Sequence, residues 1–134
     1  MGSIFAPENP GDPEQVILSL TVNAVAPTVT TLAASSIDST KASLDGNVTS
    51  TGGDAPDIRI YYGLTDGGTT AASWTNVQEI GKKGAEFGYV IGDLIPSTTY
   101  RYRVRAYNSA ATEGVWASNT ISFSTQASNK PVVN

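Results

Sequence analysis

The chain has 134 residues, a formal net charge of -4, no cysteine and no histidine. Disulfides and thiolate metal sites are therefore excluded, and so are the commonest general base and the commonest transition-metal ligand. The acidic balance argues against nucleic-acid binding, which needs a basic footprint, and no apolar run is long enough to insert in a membrane.

Residues 1–15 hold neither the basic nor the apolar stretch of an export signal. After them, "QVILSLTVNAV" alternates Val16, Leu18, Leu20 and Val22 with Ile17, Ser19 and Thr21, which reads as an extra strand. Apolar residues recur at a period of two, not three to four, through the rest of the chain. Turn residues interrupt them at roughly ten-residue intervals, the pattern of an all-β sandwich or barrel.

The expected strands, in order, begin with "TVTTLAAS" (28–35) and "KASLDGNVTS" (41–50), with Ala42, Leu44, Gly46 and Val48 on one face. "PDIRIYYG" (56–63) turns Ile58, Ile60 and Tyr62 inward and Arg59 and Tyr61 outward. The turn "LTDGGTT" leads to "SWTNVQEIG" (73–81), and "AEFGYVIG" (85–92) places Phe87, Tyr89 and Ile91 together. "TYRYRVRAYN" (99–108) puts Tyr100, Tyr102, Val104 and Ala106 on the core side and Arg101, Arg103, Arg105 and Tyr107 on the water side. "SNTISFST" (118–125) completes seven.

Leu94, Pro96, Thr98 and Tyr100 follow an L-x-P-x-T-x-Y spacing, and "RYRVRAYNSAATEG" follows directly. In this the chain resembles a fibronectin type III domain over residues 27–126, and "SLDGNVTSTGGDAPDIRIYYGLTDGGTTAASW" (43–74) resembles more narrowly the repeats of large secreted or surface proteins of environmental bacteria. The resemblance implies a seven-stranded antiparallel Greek-key β-sandwich, immunoglobulin-like, with the N-terminal strand-like segment as an addition. It implies a tyrosine corner at Leu94, Pro96, Thr98 and Tyr100, in which the phenol hydroxyl returns to backbone upstream. It also implies an extracellular or bacterial cell-surface location. Where the animal-type pattern has a core tryptophan, this chain has Leu44, so Trp74, Trp116 or both are expected to close the core.

Residues 17–30 align with 121–134, pairing Ile17 with Ile121, Thr21 with Thr125, Pro27 with Pro131 and Val29 with Val133. Residues 1–26 then read as the last strand of a preceding module plus linker, and 127–134 as a linker and the start of a following one.

No nucleophile–base pair, phosphate loop or dinucleotide fingerprint is present, so no enzyme activity and no cofactor are expected. Asp54, Asp57, Asp66 and Glu113 lie in expected loops, and the first three are partial calcium ligands at best, because the spacing matches no calcium loop. All four arginines, Arg59, Arg101, Arg103 and Arg105, should share an outer sheet face with Tyr61 and Tyr107. Such a face reads either as a structural surface whose arginines pair across strands with Glu79, Thr and Ser, or as a candidate site for an anionic polysaccharide, since guanidinium forks bind carboxylate and sulfate. The loops "TSTGGDAP" and "NSAATEG" are a second candidate. Three roles follow. The first is a structural spacer among neighbouring modules, with an adhesive role as its extension. The second is a polysaccharide-binding module, and the third is a fibre subunit that donates Val16, Leu18, Leu20 and Val22 to another copy of itself.

Overall fold

The computed structural model describes residues 23–128. The candidate donated strand at residues 16–22 and the alignment of 17–30 with 121–134 fall wholly or partly outside them. The elements are β1 (Thr28–Thr31), β2 (Ala42–Ser50), β3 (Asp57–Gly63), β4 (Asn76–Lys82), β5 (Glu86–Ile91), β6 (Thr99–Asn108), β7 (Ala111–Trp116) and β8 (Ile121–Ser124), with one 3-10 turn at Ala71–Ser73.

The strands form two antiparallel sheets. One has the order β1-β2-β5; the other runs β4-β3-β6-β7, with β8 also on β6. Crossing between sheets from β2 to β3 and from β5 to β6 makes the Greek key. β7 and β8 both lie along β6, with Val115 opposite Ala106 and Ile121 opposite Tyr102, and Ala117 N–H still donates to Val104 C=O at 2.8 Å between them. They are two halves of one seventh strand. The sequence pattern shows only the second half, and "NSAATEG", expected as a loop, is largely strand. Gly114, at φ 85°, breaks the alternation there, so a period-two pattern is not visible in 111–116. Only Ser109 and Ala110 turn, and the candidate binding loop is mostly strand.

Between the sheets, Leu44, Ile58, Ile60, Tyr102, Val104 and Ala106 are fully buried. Gly46 faces the same interior, and a Cβ there would meet Phe87 Cζ at 2.5 Å and Val104 Cγ2 at 3.1 Å. Neither tryptophan closes this core. Trp74 lies against Gly67 and donates its indole N–H to Gly68 C=O at 3.0 Å, closing the 64–70 turn. Trp116 stands on the outer face. Leu44 with Tyr102 and Phe123 fills the space instead.

The corner ahead of β6 is built from polar locks. Tyr100, buried against Phe123, accepts the Ile95 N–H at 2.8 Å. Leu94 is buried beneath the turn, and Ser97 takes φ 52° at its tip. Thr98 Oγ1 donates to Pro96 C=O at 2.9 Å. Thr125 Oγ1 donates to Ile95 C=O at 2.6 Å and accepts from Thr98 N–H at 3.0 Å. Tyr100→Phe strands the Ile95 N–H while keeping the ring, and should cost about 1–2 kcal/mol by urea denaturation.

Candidate functional site

The outer face of the larger sheet brings together the candidate residues of β3 and β6. Arg59 lies opposite Arg105, Tyr61 opposite Arg103, and Gly63 opposite Arg101. Four cations on one face of adjacent strands repel unless each finds a partner, and each does. Arg59 Nε sits 3.6 Å from Glu79 Oε2. Arg101 donates to Leu64 C=O at 2.8 Å, and Arg103 to Ala117 C=O at 2.8 Å and to Thr120 Oγ1 at 3.3 Å. Arg105 donates to Glu113 C=O.

Aromatic rings fill the spaces between these cations. The Arg59 guanidinium lies 4.4 Å from the Tyr107 ring centre, and Arg105 lies 5.0 Å from Tyr107 and 4.7 Å from Trp116. Trp116 packs on Tyr61 at 4.8 Å, and the Tyr61 and Tyr107 hydroxyls are 3.1 Å apart. Tyr61, Trp116, Arg105 and Tyr107 close a ring of cation–π, stacking and hydrogen-bond contacts, and Arg59 lies against it on Tyr107. Tyr61, expected to face water, is only 5% exposed beneath Trp116. Gly114 makes room for this arrangement: a Cβ there would lie 2.7 Å from both Arg105 Nε and the Tyr107 ring. The sequence shows the Arg and Tyr positions. Trp116 arrives from β7, the half-strand read as loop, so its part in the face was missed.

Burial raises the Tyr61 phenol, but hydrogen bonding to Tyr107 and the nearby guanidiniums outweighs it and holds the group below the usual range. Burial, with Tyr61 beside it, pushes Tyr107 up to about 12. Burial also raises Tyr62 and Tyr102. A raised phenol keeps its proton in the folded state after the unfolded chain has released it, so stability is lost as pH rises through that window. Tyr61 acts in the opposite sense, below the usual tyrosine range. Urea midpoints should therefore fall between about pH 10 and 12, and tyrosinate absorbance should show Tyr61 ionising ahead of Tyr107.

Beside this face, at the end where β3 begins, lies a cleft of about 500 Å³ lined by Asp54, Asp57, Arg59, Glu79, Lys82, Tyr107 and Ser109 among others. Of the candidate ligand face, only Arg59 and Tyr107 reach it. Lys82 pairs with Asp57 at 3.5 Å and donates to Ala55 C=O at 3.3 Å. Asp54 accepts from Ser109 N–H at 2.9 Å, and that backbone bond holds its carboxyl below the usual range. Asp66, the third candidate calcium ligand, accepts from Gly68 N–H and from Thr120 at the far turn. No cluster of three carboxylates able to hold a metal occurs among the described residues.

Asn108, buried at the rim of the cleft, has no role in the sequence reading although it lies within the motif quoted there. Its side-chain N–H groups point at Val25 C=O (2.8 Å), Thr51 C=O (3.0 Å) and Asp54 C=O (3.2 Å). Its oxygen accepts from Ala110 and Ala111 N–H, each at 2.9 Å. One side chain thus ties the lead-in to β1, the β2–β3 loop and the β6–β7 turn.

No family model matches the sequence, and no curated protein does. Solved structures do. The sensor domain of the anti-sigma factor RsgI4 of Pseudobacteroides cellulosolvens matches with a TM-score of 0.54 and 25% identity, covering 81% of this chain and 97% of that one. The sixth fibronectin type III domain of human fibronectin type III domain containing protein 3 matches at 0.51 and 22%, covering 95% and 98%. The fibronectin type III domain of human KIAA0970 protein matches at 0.50 and 17%, covering 87% and 82%. The fold is that of fibronectin type III domains. Sheets β1-β2-β5 and β4-β3-β6-β7/β8 carry its strand order, and the Tyr100 corner sits where the fibronectin type III motif placed it.

Proposed function

We propose that this fibronectin type III-like sandwich is a non-catalytic structural module of a multidomain protein, placed outside the cell or on the bacterial cell surface and set among neighbouring modules. The supporting observation is the state of its most ligand-like feature. All four guanidiniums on the outer face are engaged by the chain's own carbonyls, a carboxylate, a hydroxyl or aromatic rings. Each guanidinium makes at most two of its five possible hydrogen bonds here, but those bonds and the rings hold the planes in place, so turning them to grip a sulfate lowers the affinity for an anionic glycan. The same contacts brace the face that a spacer presents to solvent. Similarity to fibronectin type III and anti-sigma sensor domains supports a module of this type. No helix among the described residues is long and apolar enough to cross a membrane.

A second reading, a polysaccharide-binding or adhesive module, is favoured by the cleft. Its volume falls within the range of small-ligand sites. Its mixed charges, Asp57 and Glu79 with Arg59 and Lys82, suit a neutral hydroxylated ligand better than a polyanion.

An amide-resolved titration with neutral and anionic polysaccharides separates the two. The spacer reading expects shifts no larger than those from added salt. Saturable shifts confined to Asp54, Asp57, Arg59, Tyr107 and Ser109 would replace it with glycan binding in the cleft. Shifts across Tyr61 and residues 101–107 that weaken with salt would restore the arginine face as the site.

A further inference from the structure

The four sheet edges are not equally protected. At β1, Asn119 covers the chain: its amide donates to Thr31 C=O at 3.1 Å and its oxygen accepts Thr31 N–H at 3.4 Å. β4 is interrupted by a register shift opposite Gly81, which has φ 84°, and carries Glu79 and Lys82. β7 contains Gly114 and a register shift of its own, and β8, which continues that edge, is regular and uncharged but only four residues long. Bulges, charges and side-chain covers are the usual means of keeping an edge from pairing. β5 has none of them except Glu86 at its start. Its pairing to β2 is regular from Ala42–Ile91 to Asn47–Glu86.

Val48 N–H donates to Ala85 C=O at 3.1 Å. With that register, Ala85, Phe87, Tyr89 and Ile91 bond to β2, and the N–H and C=O groups of Glu86, Gly88 and Val90 point away from the sheet. Val90 is 61% exposed and Tyr89 is 37% exposed at this edge.

We propose that β5 accepts residues 16–22 of a second copy of this chain as an added antiparallel strand. The alternation of the segment matches that of the sheet it would extend. With Thr21 opposite Glu86, Ser19 falls opposite Gly88 and Ile17 opposite the exposed Val90. Those three share the outer face, where β2 already displays Ser43, Asp45 and Asn47. Leu20 then stands beside Phe87 and Leu18 beside Tyr89, extending the apolar inner face. A one-residue slip would put Leu18 and Leu20 among the polar outer residues, so the pattern specifies the register.

Reach assigns the donor to another copy. Val25 is hydrogen-bonded to Gly52 as the chain approaches β1, on the flank of β2 away from β5. A strand outside β5 lies three strand spacings from that flank, about 14 Å at ~4.8 Å each. In the proposed register Val22 falls opposite Ala85, yet the three residues from Val22 to Val25 span at most roughly 11 Å. Each chain therefore has one donor and one acceptor, and the contact propagates head to tail. The inference goes beyond the spacer reading and stands or falls separately from it.

Light scattering across a concentration series of the full chain tests it. Wild type should rise in mass above monomer. Val90→Pro removes one outward N–H and leaves the bonds to β2 in place, and Leu18→Lys with Leu20→Lys spoils the donor. Each variant alone should stay monomeric, with near-UV dichroism confirming the fold. Mixed in equal amounts, the two should form a dimer and nothing larger, because one good donor meets one good acceptor. Wild type that stays monomeric at every concentration would overturn the proposal, as would Val90→Pro assembling like wild type or a mixture that remains monomeric. A monomer whose residues 16–22 lose amide protection on Val90→Pro would show pairing within one chain, and would overturn it too.

Discussion

Asn108→Ala should cost about 3 kcal/mol and lower the melting temperature by on the order of 15 °C. The substitution leaves three carbonyls (Val25, Thr51 and Asp54) and two N–H groups (Ala110 and Ala111) without their partner. The amide nitrogen shares two hydrogens among three carbonyls, and some of the stranded groups lie near enough to the surface to take up water, so the cost stays below a simple sum over contacts. Asn108→Asp separates the two halves of the network. Its carboxylate still accepts from Ala110 and Ala111, but faces three carbonyls that want a donor. It should therefore be nearly as unstable as Asn108→Ala at neutral pH and recover partly below about pH 4, where the carboxyl is protonated. Urea denaturation at both pH values gives the comparison. A loss below about 0.5 kcal/mol for Asn108→Ala would mean the three segments hold together without it.

Trp116→Ala should cost about 2 kcal/mol, although the residue stands on the outer face of a sheet. The indole covers Tyr61, supports the Arg105 guanidinium and links β7 to β3 across β6. Its removal exposes an otherwise buried tyrosine ring and removes a cation–π contact. Val77→Ala, at a side chain 50% exposed on β4, is the control and should change stability by less than about 0.5 kcal/mol. Arg105→Lys should fall between them, because a lysine keeps the charge but lacks the planar group that lies against two rings. Chemical denaturation of the three variants checks the order. If Trp116→Ala matches Val77→Ala, the ring of contacts is decoration and the face is free to bind something else.

Neither Asn108 nor Trp116 stands out in the alternation of its strand. Period two puts Arg101, Arg103 and Arg105 on one face of their strand, the fibronectin type III resemblance sets Arg59 beside them, and in the structure Arg59 lies opposite Arg105. Whether a guanidinium on such a face is free depends on what crosses from the next strand. Trp116 and the Glu113 and Ala117 carbonyls come from a segment whose Gly114 hides its strand character. The core tryptophan expectation failed for a related reason. A large ring near a strand end has several surfaces within reach, and Trp74 found the Gly67–Gly68 backbone closer than the core.

Alternation acts over a few residues, so the all-β class and the inner and outer faces of β2, β3 and β6 are legible in the sequence, and the L-x-P-x-T-x-Y resemblance locates the corner at Tyr100. The absence of cysteine and histidine also bounded the chemistry before any fold was known. The engaged arginine face, the joining of three segments by Asn108 and the long regular edge at β5 emerge only once the chain is folded. Those outcomes depend on contacts between residues far apart in the chain, such as Asn108 with Val25, 83 positions away, and Arg101 with Leu64, 37 away. No local pattern records which distant carbonyl a donor will meet.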